Sequence, residues 1–389
     1  STPLYLSAAS VVFKSLTWTF GEPVLVLRSR QMTIPAVGPD SWGDIGLVPT
    51  GLTEDRYVKA VEVREINDIP PSAGSDTVGG RYIFHHMTYS SGVLNEDETE
   101  IVEETRVRWP IHEVGRNADI FPEKFGTLLQ ANSALHLGAS HLHSNGIAET
   151  TGHLEFGFIF HPKDYTPEYG NRAAVRLGNG GDIDVPGGAA DQEFHSFEVL
   201  EQHTKIVAFE PHLHAPGTRM CLEAIWGANH FTLNCVGYDH SWVKQYVYED
   251  DAAPLLPKGT ILHIVGFLDT TAANRNLADN RNWAGGGRRS VANMFIDLGY
   301  AVELTEEQFQ AEMSERRAKM KSRNDYDVGC PLCWAPIPTE ETAIELSTAY
   351  RNPAVGFEGD EFVNLVVRFR TMMSLSEVCL LYTSPSPRD

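Results

Sequence analysis

Histidine is the residue type with the clearest chemical potential in this chain of 389 residues, which contains 15 of them. One group is an adjacent pair and two are separated by a single residue: His85-His86, His141-Leu142-His143 and His212-Leu213-His214. Residues i and i+2 of a β-strand point to the same face, so each His-x-His can direct two imidazoles at one metal ion. Adjacent histidines point to opposite faces, and they would share a metal only at a strand end or a β-bulge.

These spacings predict metal binding but do not select the metal. Neutral imidazole is a ligand for zinc, copper, iron and nickel. A single histidine is more often a hydrogen-bonded structural residue, yet two His-x-His groups and one His-His pair in a chain favour ligands. A competing interpretation is a cupin-like iron oxygenase, because His141-x-His143 followed by Glu149 resembles a cupin motif. The long spacing to Glu149 and a misplaced preceding glycine weaken that interpretation.

The elements that must position these histidines are predicted to be mostly β-strands. Short β-rich runs separated by turn residues are typical of β-sandwiches, and they cover residues 57–63, 81–84, 154–160, 205–209, 219–225 and 260–267. A helix is predicted to follow, because Thr305-Glu306-Glu307-Gln308 fits a capping box and Phe309 and Met313 share a helical face. The fold class is therefore all-β with a short C-terminal helical segment.

The length of the chain predicts its number of domains, and its composition limits the classes of molecule that it can bind. A chain of this length is expected to form two domains, and the glycine-rich residues 178–188 are either a surface loop or the linker between them. The net charge of −21 and the isoelectric point near 5.1 disfavour partnership with nucleic acid or anionic lipid. No apolar run approaches the roughly 18 residues of a transmembrane helix, so no membrane span is predicted.

The cysteines leave two interpretations open. Cys221 and Cys235 flank a predicted hairpin turn, and a three-residue loop centred on Ala228 would place them opposite one another. They could form a disulfide or remain two buried thiols. Cys330 and Cys333 form a lone CxxC without a second CxxC or a histidine pair at zinc-finger spacing, which favours a structural disulfide or free thiols over metal.

Both ends of the sequence differ from the rest. Residues 379–389 resemble the in-frame translation of an adapter used in DNA sequencing, and we expect them to be an artefact. Residues 1–19 contain no basic segment ahead of an apolar core, so no signal peptide is visible.

In their order along the chain, several segments resemble the copper type II, ascorbate-dependent monooxygenases, the family of peptidylglycine α-hydroxylating and dopamine β-monooxygenases, and in particular their bacterial-type homologues. The similarity extends over roughly residues 18–312. Its segments are residues 52–63, Phe84-His85-His86-Met87, Pro211-His212-Leu213-His214-Ala215-Pro216-Gly217, Leu256-Pro257-Lys258-Gly259-Thr260, Asp269-Thr270-Thr271-Ala272-Ala273-Asn274 and Ser290-Val291-Ala292-Asn293-Met294.

The resemblance implies two jelly-roll-like β-sandwich domains in tandem, residues 17–177 and 189–312, followed by a tail of unknown role over residues 313–378. Each domain would hold one copper. The ligands implied for the electron-transfer copper are His85, His86 and His141. His141 is preferred by its distance before Gly146, and His143 is the alternative.

The implied oxygen-activating copper has the ligands His212, His214 and Met294, which would be the catalytic residues. A soft thioether ligand favours Cu(I), the oxidation state that meets O₂. The implied enzyme is a dicopper monooxygenase that hydroxylates a C–H bond of a small organic substrate, with O₂ and a reductant such as ascorbate. Because the family works outside the cytosol, we expect a secreted or periplasmic protein. A non-catalytic copper-binding or copper-storage protein is the alternative.

Three positions depart from the peptide-hydroxylating members. Glu210 stands where they have an arginine that anchors a substrate carboxylate, and Leu298 stands where they have a tyrosine. A peptide ending in glycine is therefore not the expected substrate, although Glu210 can also be read as a plain surface charge. Ala139 replaces a glutamine near the first copper, which concerns the tuning of that copper and not its binding.

Overall fold

The structure is a computed structural model that describes residues 18–39, 41–74, 79–169, 173–174, 177–179, 183–226, 229–277, 279–281, 285–286 and 292–323. The chain divides into two compact units. The first comprises Ser1–Asn171, Tyr238–Lys244 and Arg288–Ala292, and the second comprises Arg172–Gly237, Gln245–Gly287 and Asn293–Asp389. The domain limits drawn from the sequence stay a prediction.

The first unit consists of two antiparallel sheets. Its described strands are β1 Leu25–Arg28, β2 Met32–Ile34, β3 Ser41–Gly43, β4 Gly46–Pro49, β5 Arg56–Asn67, β6 Phe84–Val93, β7 Val107–Arg108, β8 His112–Glu113, β9 Ala118–Ile120, β10 Thr127–Leu129, β11 Ser133–Leu142 and β12 Thr150–Phe160. One sheet has the order β1-β12-β5-β10, with β2 and β9 at its margins, and the other has the order β3-β11-β6-β7, with β4 and β8. Two short 3-10 helices cover Pro71–Ala73 and Glu103–Thr105.

Aromatic side chains fill the space between these two sheets. Phe156 and Phe158 on β12 are fully buried, because alternate residues of a strand face the same side. The ring of Phe156 lies 5.2 Å from that of Tyr89 on β6, and the ring of Phe158 lies 5.5 Å from that of Trp109. The Trp109 indole N–H donates to the Ser91 hydroxyl over 2.9 Å, which satisfies its one polar atom. The first unit is therefore a β-sandwich.

The second unit contains three antiparallel sheets and a helix. Its described strands are β13 Ala173–Ala174, β14 Leu177–Asn179, β15 Gln192–Val199, β16 His203–Phe209, β17 Pro211–Leu213, β18 Gly217–Trp226, β19 Asn229–Gly237, β20 Tyr246–Val247, β21 Leu255–Leu256, β22 Ile261–Leu268, β23 Phe295–Asp297 and β24 Tyr300–Leu304. The sheet orders are β13-β24-β16-β20 with β21, β14-β23-β17, and β15-β22-β18-β19. The ring centroids of Phe295 on β23 and Phe194 on β15 lie 6.1 Å apart, so these two sheets are in contact.

The helix α1, Glu306–Arg323, begins as the sequence predicts. The Thr305 hydroxyl accepts the Gln308 backbone N–H, and the Gln308 side-chain oxygen accepts the Thr305 N–H, which is a capping box. Phe309 and Met313 are buried on its inner face. Within this part of the chain the predicted fold class, all-β with two β-sandwich units and a C-terminal helical segment, is confirmed.

Cys221 and Cys235 form a disulfide between β18 and β19, so the alternative of two free thiols is wrong. The expected three-residue loop is also wrong, because Trp226 pairs directly with Asn229 and two residues remain between the strands. A bulge between Leu222 and Glu223 shifts the register by one residue and brings the two cysteines opposite each other. Cys330, Cys333 and the suspected adapter residues lie outside the described residues.

The strand predicted over residues 81–84 is misplaced, because β6 begins at Phe84 and contains both His85 and His86. None of the helices in the described ranges is long and apolar enough to cross a membrane.

Candidate metal centres

His85, His86 and His141 come together where β6 and β11 pair in the first unit. His86 lies directly opposite His141 in this antiparallel ladder. The next pair in the register joins Leu142 to Phe84, so His85 is an extra residue in a β-bulge. The bulge turns two adjacent histidines toward one point, as the sequence requires if the pair is to share a metal.

The three imidazoles form a compact and buried group. Each offers one nitrogen, and the three nitrogens lie within 4.8 Å of one another. The ring centroids are 5.3 to 5.8 Å apart, and the exposed fractions are 4% for His85, 8% for His86 and 2% for His141. Three converging imidazole nitrogens are a donor set suited to a transition-metal ion. The group could therefore hold a metal.

Further aromatic residues surround this group. His143 contributes Nε2 at 3.1 Å from Nδ1 of His85, and the His240 carbonyl oxygen lies 3.4 Å from Nε2 of His85. Trp42 on β3 packs edge-on against His86, with ring centroids 4.8 Å apart. Of the two histidines left open by the sequence, His141 is grouped with His85 and His86, whereas His143 contacts His85 from the side. Partners of this kind orient ligand rings.

Burial is the main reason why the pKa of His85 lies well below its usual value, and the neighbouring imidazoles of His240, His143, His86 and His141 lower it further. A positive charge in this place would be poorly solvated and would stand among other rings that can also protonate. His85 is therefore a neutral imidazole near pH 7, which is the form that binds metals.

His212 and His214 lie together in the second unit, on and directly after β17. Their rings are 5.3 Å apart and both are buried, as expected for alternate residues of an extended segment. Met294 directly precedes β23, the strand that pairs with β17, and its carbonyl oxygen accepts the His214 backbone N–H over 3.3 Å. The Met294 side chain is half-buried. The three residues named from the sequence therefore share one region of the fold.

The loop after β17 is fixed by the segment that follows β22. Asn274 donates its side-chain N–H to the carbonyl oxygens of Ala215 and Asp269, over 3.3 and 2.8 Å. The Asp269 backbone N–H in turn donates to the Pro216 carbonyl over 2.7 Å. These bonds hold the segment 269–274 against the histidine loop, which limits the freedom of His214.

Two buried carboxyl groups lie beside this region, and one of them corrects the sequence interpretation. Glu210 is fully buried and is not a surface charge. Its Oε2 accepts a hydrogen bond of 3.2 Å from the Gln245 amide. Burial raises the pKa of Asp297 to about 7, although the backbone N–H groups of Glu210 and Gly299 donate to its Oδ1 and oppose the rise.

A third group that could hold a metal was not found from the sequence. Glu223, His230 and His263 belong to three different strands of the sheet β15-β22-β18-β19, and their ligand atoms lie within 4.8 Å of one another. Trp42 and His240, which border the first group, were missed as well. No spacing along the chain joins these residues, because strand register alone brings them together.

Fold and sites define an all-β protein with buried histidine groups that could hold metal ions. No protein-family model and no curated protein matches the chain. Among solved structures it is similar to the naturally occurring empty particle of Cowpea mosaic virus, with 9% identity over 76% of this chain and 95% of that chain and a TM-score of 0.33. The structure of Broad Bean Stain Virus is 12% identical over 75% of this chain and 94% of that chain, with a TM-score of 0.33. The structure of recombinant N-glycanase F is 10% identical over 72% of this chain and 94% of that chain, with a TM-score of 0.31.

Proposed function

We propose that this protein is a copper-dependent monooxygenase that hydroxylates a C–H bond of a small organic substrate, using O₂ and a reductant such as ascorbate. The observation that carries the proposal is the buried group of His85, His86 and His141, formed by a bulge that a strand needs before adjacent histidines can converge. The ordered resemblance of the flanking segments supports copper as the metal.

The proposed ligands form two sets that differ in donor chemistry. His85, His86 and His141 would hold the copper that stores an electron, and His212, His214 and Met294 would hold the copper that meets O₂. When bound, copper would supply one-electron redox chemistry, and the thioether of Met294 would favour its reduced state.

The surrounding residues have the tasks of orientation and exclusion of water. His143 fixes the ring of His85 through their contact of 3.1 Å, and Trp42 limits the rotation of His86. Asn274 anchors the chain next to His214. With these groups buried, water is kept away from the metal ligands, which protects reactive chemistry from side reactions.

The Cys221–Cys235 disulfide supports an extracytoplasmic location, because such bonds persist in oxidising compartments. A secreted or periplasmic protein would meet copper, O₂ and a diffusible reductant there. The proposed partners are these small molecules and the organic substrate.

A second candidate is a copper-binding protein without turnover. It is favoured by the burial of the proposed ligand histidines, whose exposed fractions range from 2% to 8%. Closed sites are typical of structural metals, whereas catalytic sites keep an accessible position. Oxygen uptake driven by ascorbate in the presence of candidate substrates separates the two, because a storage protein consumes no O₂ in step with a substrate.

The test measures copper per chain by mass spectrometry after loading and desalting. We expect His86→Gln and His212→Gln each to lose one copper relative to the wild type. His153→Gln serves as the control, since His153 is half-buried on β12 and outside both proposed sites. X-ray absorption of the Cu(I) form should show a copper–sulfur contribution that disappears in Met294→Leu, with circular dichroism unchanged.

Substrate-dependent oxygen uptake should be abolished in Met294→Leu as well. A copper count that is unaffected by His86→Gln and His212→Gln would contradict the proposal. Unchanged turnover in Met294→Leu would remove Met294 from the site.

A further inference from the structure

The outer face of the four-stranded sheet in the second unit carries a band of polar side chains across all its strands. His263 on β22 lies directly opposite Glu223 on β18 in the register. His230 on β19 pairs with the residue two positions after Glu223, and His195 on β15 pairs with the residue two positions after His263. Because residues two apart share a face, all four side chains point the same way.

Glu223 is the centre of this band. Its Oε2 lies 2.8 Å from Nδ1 of His263 and 2.8 Å from Nε2 of His230. The side chains of Glu223 and His263 are 14% and 10% exposed, whereas that of His230 is 56% exposed. One oxygen and two nitrogens thus converge at the surface, with one side open to solvent.

The separations fit a small metal ion with little movement. Four ligands about 2.0–2.1 Å from a tetrahedral zinc ion lie about 3.3 Å from one another. Moving each nitrogen of His230 and His263 about half an ångström from the Glu223 oxygen brings both oxygen–nitrogen separations to that spacing, and the two nitrogens already lie within 4.8 Å of each other. Two imidazoles and a carboxylate suit zinc and the other transition-metal ions that imidazole binds, whereas calcium and magnesium prefer oxygen ligands.

The ring of His263 is already held in the required orientation. Its Nε2 lies 3.0 Å from Nδ1 of His195, so the nitrogen that faces away from Glu223 has a partner. The ring of Phe197 stacks on the His263 ring, with 4.1 Å between the ring centroids and 3° between the ring planes. A ligand histidine whose second nitrogen is hydrogen-bonded is the usual arrangement at protein metal sites.

We propose that Glu223, His230 and His263 form a zinc-binding site on this sheet face, with the fourth ligand position open to water and His195 acting as a positioning residue. The site is separate from the two proposed copper sites and does not depend on them, since none of its ligands belongs to those sets. Its ligands place it in the class of accessible sites with three protein ligands.

The test titrates the metal-free full-length chain with Zn²⁺ and measures zinc per chain and affinity by calorimetry. We expect His230→Ala and Glu223→Gln each to lose one zinc. Because His230 is largely exposed, its replacement leaves the fold intact. His203→Ala is the matched control, since His203 also pairs with a glutamate, Glu306, at 2.7 Å but has no third ligand described beside it.

His195 is tested by a rescue. His195→Ala should weaken zinc binding roughly 10- to 100-fold, the usual effect of removing a partner of a ligand histidine. His195→Gln, whose amide oxygen can still accept from His263, should recover most of that affinity. Co²⁺ bound in place of zinc should give the intense visible absorption of a tetrahedral site, and His230→Ala should lose it.

Equal zinc content in the wild type and His230→Ala would overturn the site and would leave Glu223, His230 and His263 as a hydrogen-bond network only. Loss of zinc from His212→Gln with none from His230→Ala would also overturn it. Neither result bears on the copper counts of His86→Gln and His212→Gln, so the two proposals fail separately.

Discussion

Burial decides the protonation state of single side chains in this protein. His112, which is fully enclosed in the first unit, has a pKa lowered to about 3, mainly by desolvation and further by the nearby Arg116 guanidinium. Asp297 in the second unit shows the opposite effect of the same cause, because desolvation penalises the carboxylate and raises its pKa to about 7. The His112 imidazole is thus kept neutral, and the Asp297 carboxyl group titrates close to neutrality.

Asp297 therefore gives the folding stability a distinct pH dependence. The pKa of its carboxyl group is about 7 in the fold, whereas the ordinary value for an aspartate in the unfolded chain is near 3.8. Between these two pH values the folded state binds one more proton than the unfolded state. The stabilisation that this proton gives the fold is complete at low pH and is lost as the pH rises toward 7. The free energy of unfolding of the wild type minus that of Asp297→Asn should fall by up to roughly 1.4 kcal/mol per pH unit between pH 5 and 7.

Urea unfolding at a series of pH values measures this difference, and above pH 8 it should be constant. Asp164→Asn is the control, because Asp164 is exposed. A difference that rises with pH over the same interval would contradict the assignment of a raised pKa.

At the level of elements, tight chain packing holds the strands that carry the second histidine group. Gly299 links β23 to β24 and its N–H donates to the Asp297 carboxylate over 2.8 Å. A Cβ atom at this position would overlap the carbonyl oxygen of Ala208 on β16. Backbone cannot move aside as a flexible side chain can, so the glycine is required by space.

Gly299→Ala should consequently destabilise the protein by about 1–3 kcal/mol, the usual range for an overpacked site. Gly237→Ala on β19 is the matched control, since its new Cβ would have its nearest neighbour, the Thr218 carbonyl oxygen, at 3.9 Å. The midpoint of urea unfolding should fall for the first variant and stay or rise slightly for the second. Equal midpoints would show that β23 and β24 tolerate the displacement.

Local patterns in the sequence predict those features that depend on neighbouring residues. The capping box at Thr305, the shared face of Phe309 and Met313, and the need for a bulge at His85-His86 all follow from residues close in the chain. What the sequence misses depends on strand register, as with the approach of Trp42 to His86. A shift of one residue reverses every side chain of a strand, and no local signal fixes it.

The same limit explains the error in the hairpin of the second unit. From the sequence, a three-residue loop would place the cysteines opposite one another. In the structure Trp226 pairs with Asn229, and a bulge after Leu222 brings Cys221 opposite Cys235. The sequence leaves a disulfide and two free thiols open, and the loop length that it suggests differs from the one in the structure. Bulges add one residue to one strand without a reliable composition.

At the level of the whole molecule, the net charge and the disulfide indicate the surroundings in which the protein is stable. A charge of −21 favours solubility and repels other anionic macromolecules. The β18–β19 disulfide belongs to the same sheet as the proposed zinc site. We expect the disulfide to make the protein more stable in oxidising than in reducing surroundings.

The disulfide closes a loop with a sequence separation of 14. A loop of this size constrains the unfolded chain by about 3 kcal/mol. The double replacement Cys221→Ala and Cys235→Ala should lower the free energy of unfolding by that amount in the absence of reductant. Dithiothreitol should lower the stability of the wild type similarly and leave the double variant unchanged, as measured by urea unfolding. The double variant retains Cys330, Cys333 and Cys379 and is the control for them. An equal loss on reduction in both proteins would attribute the redox sensitivity to those cysteines and not to the β18–β19 hairpin.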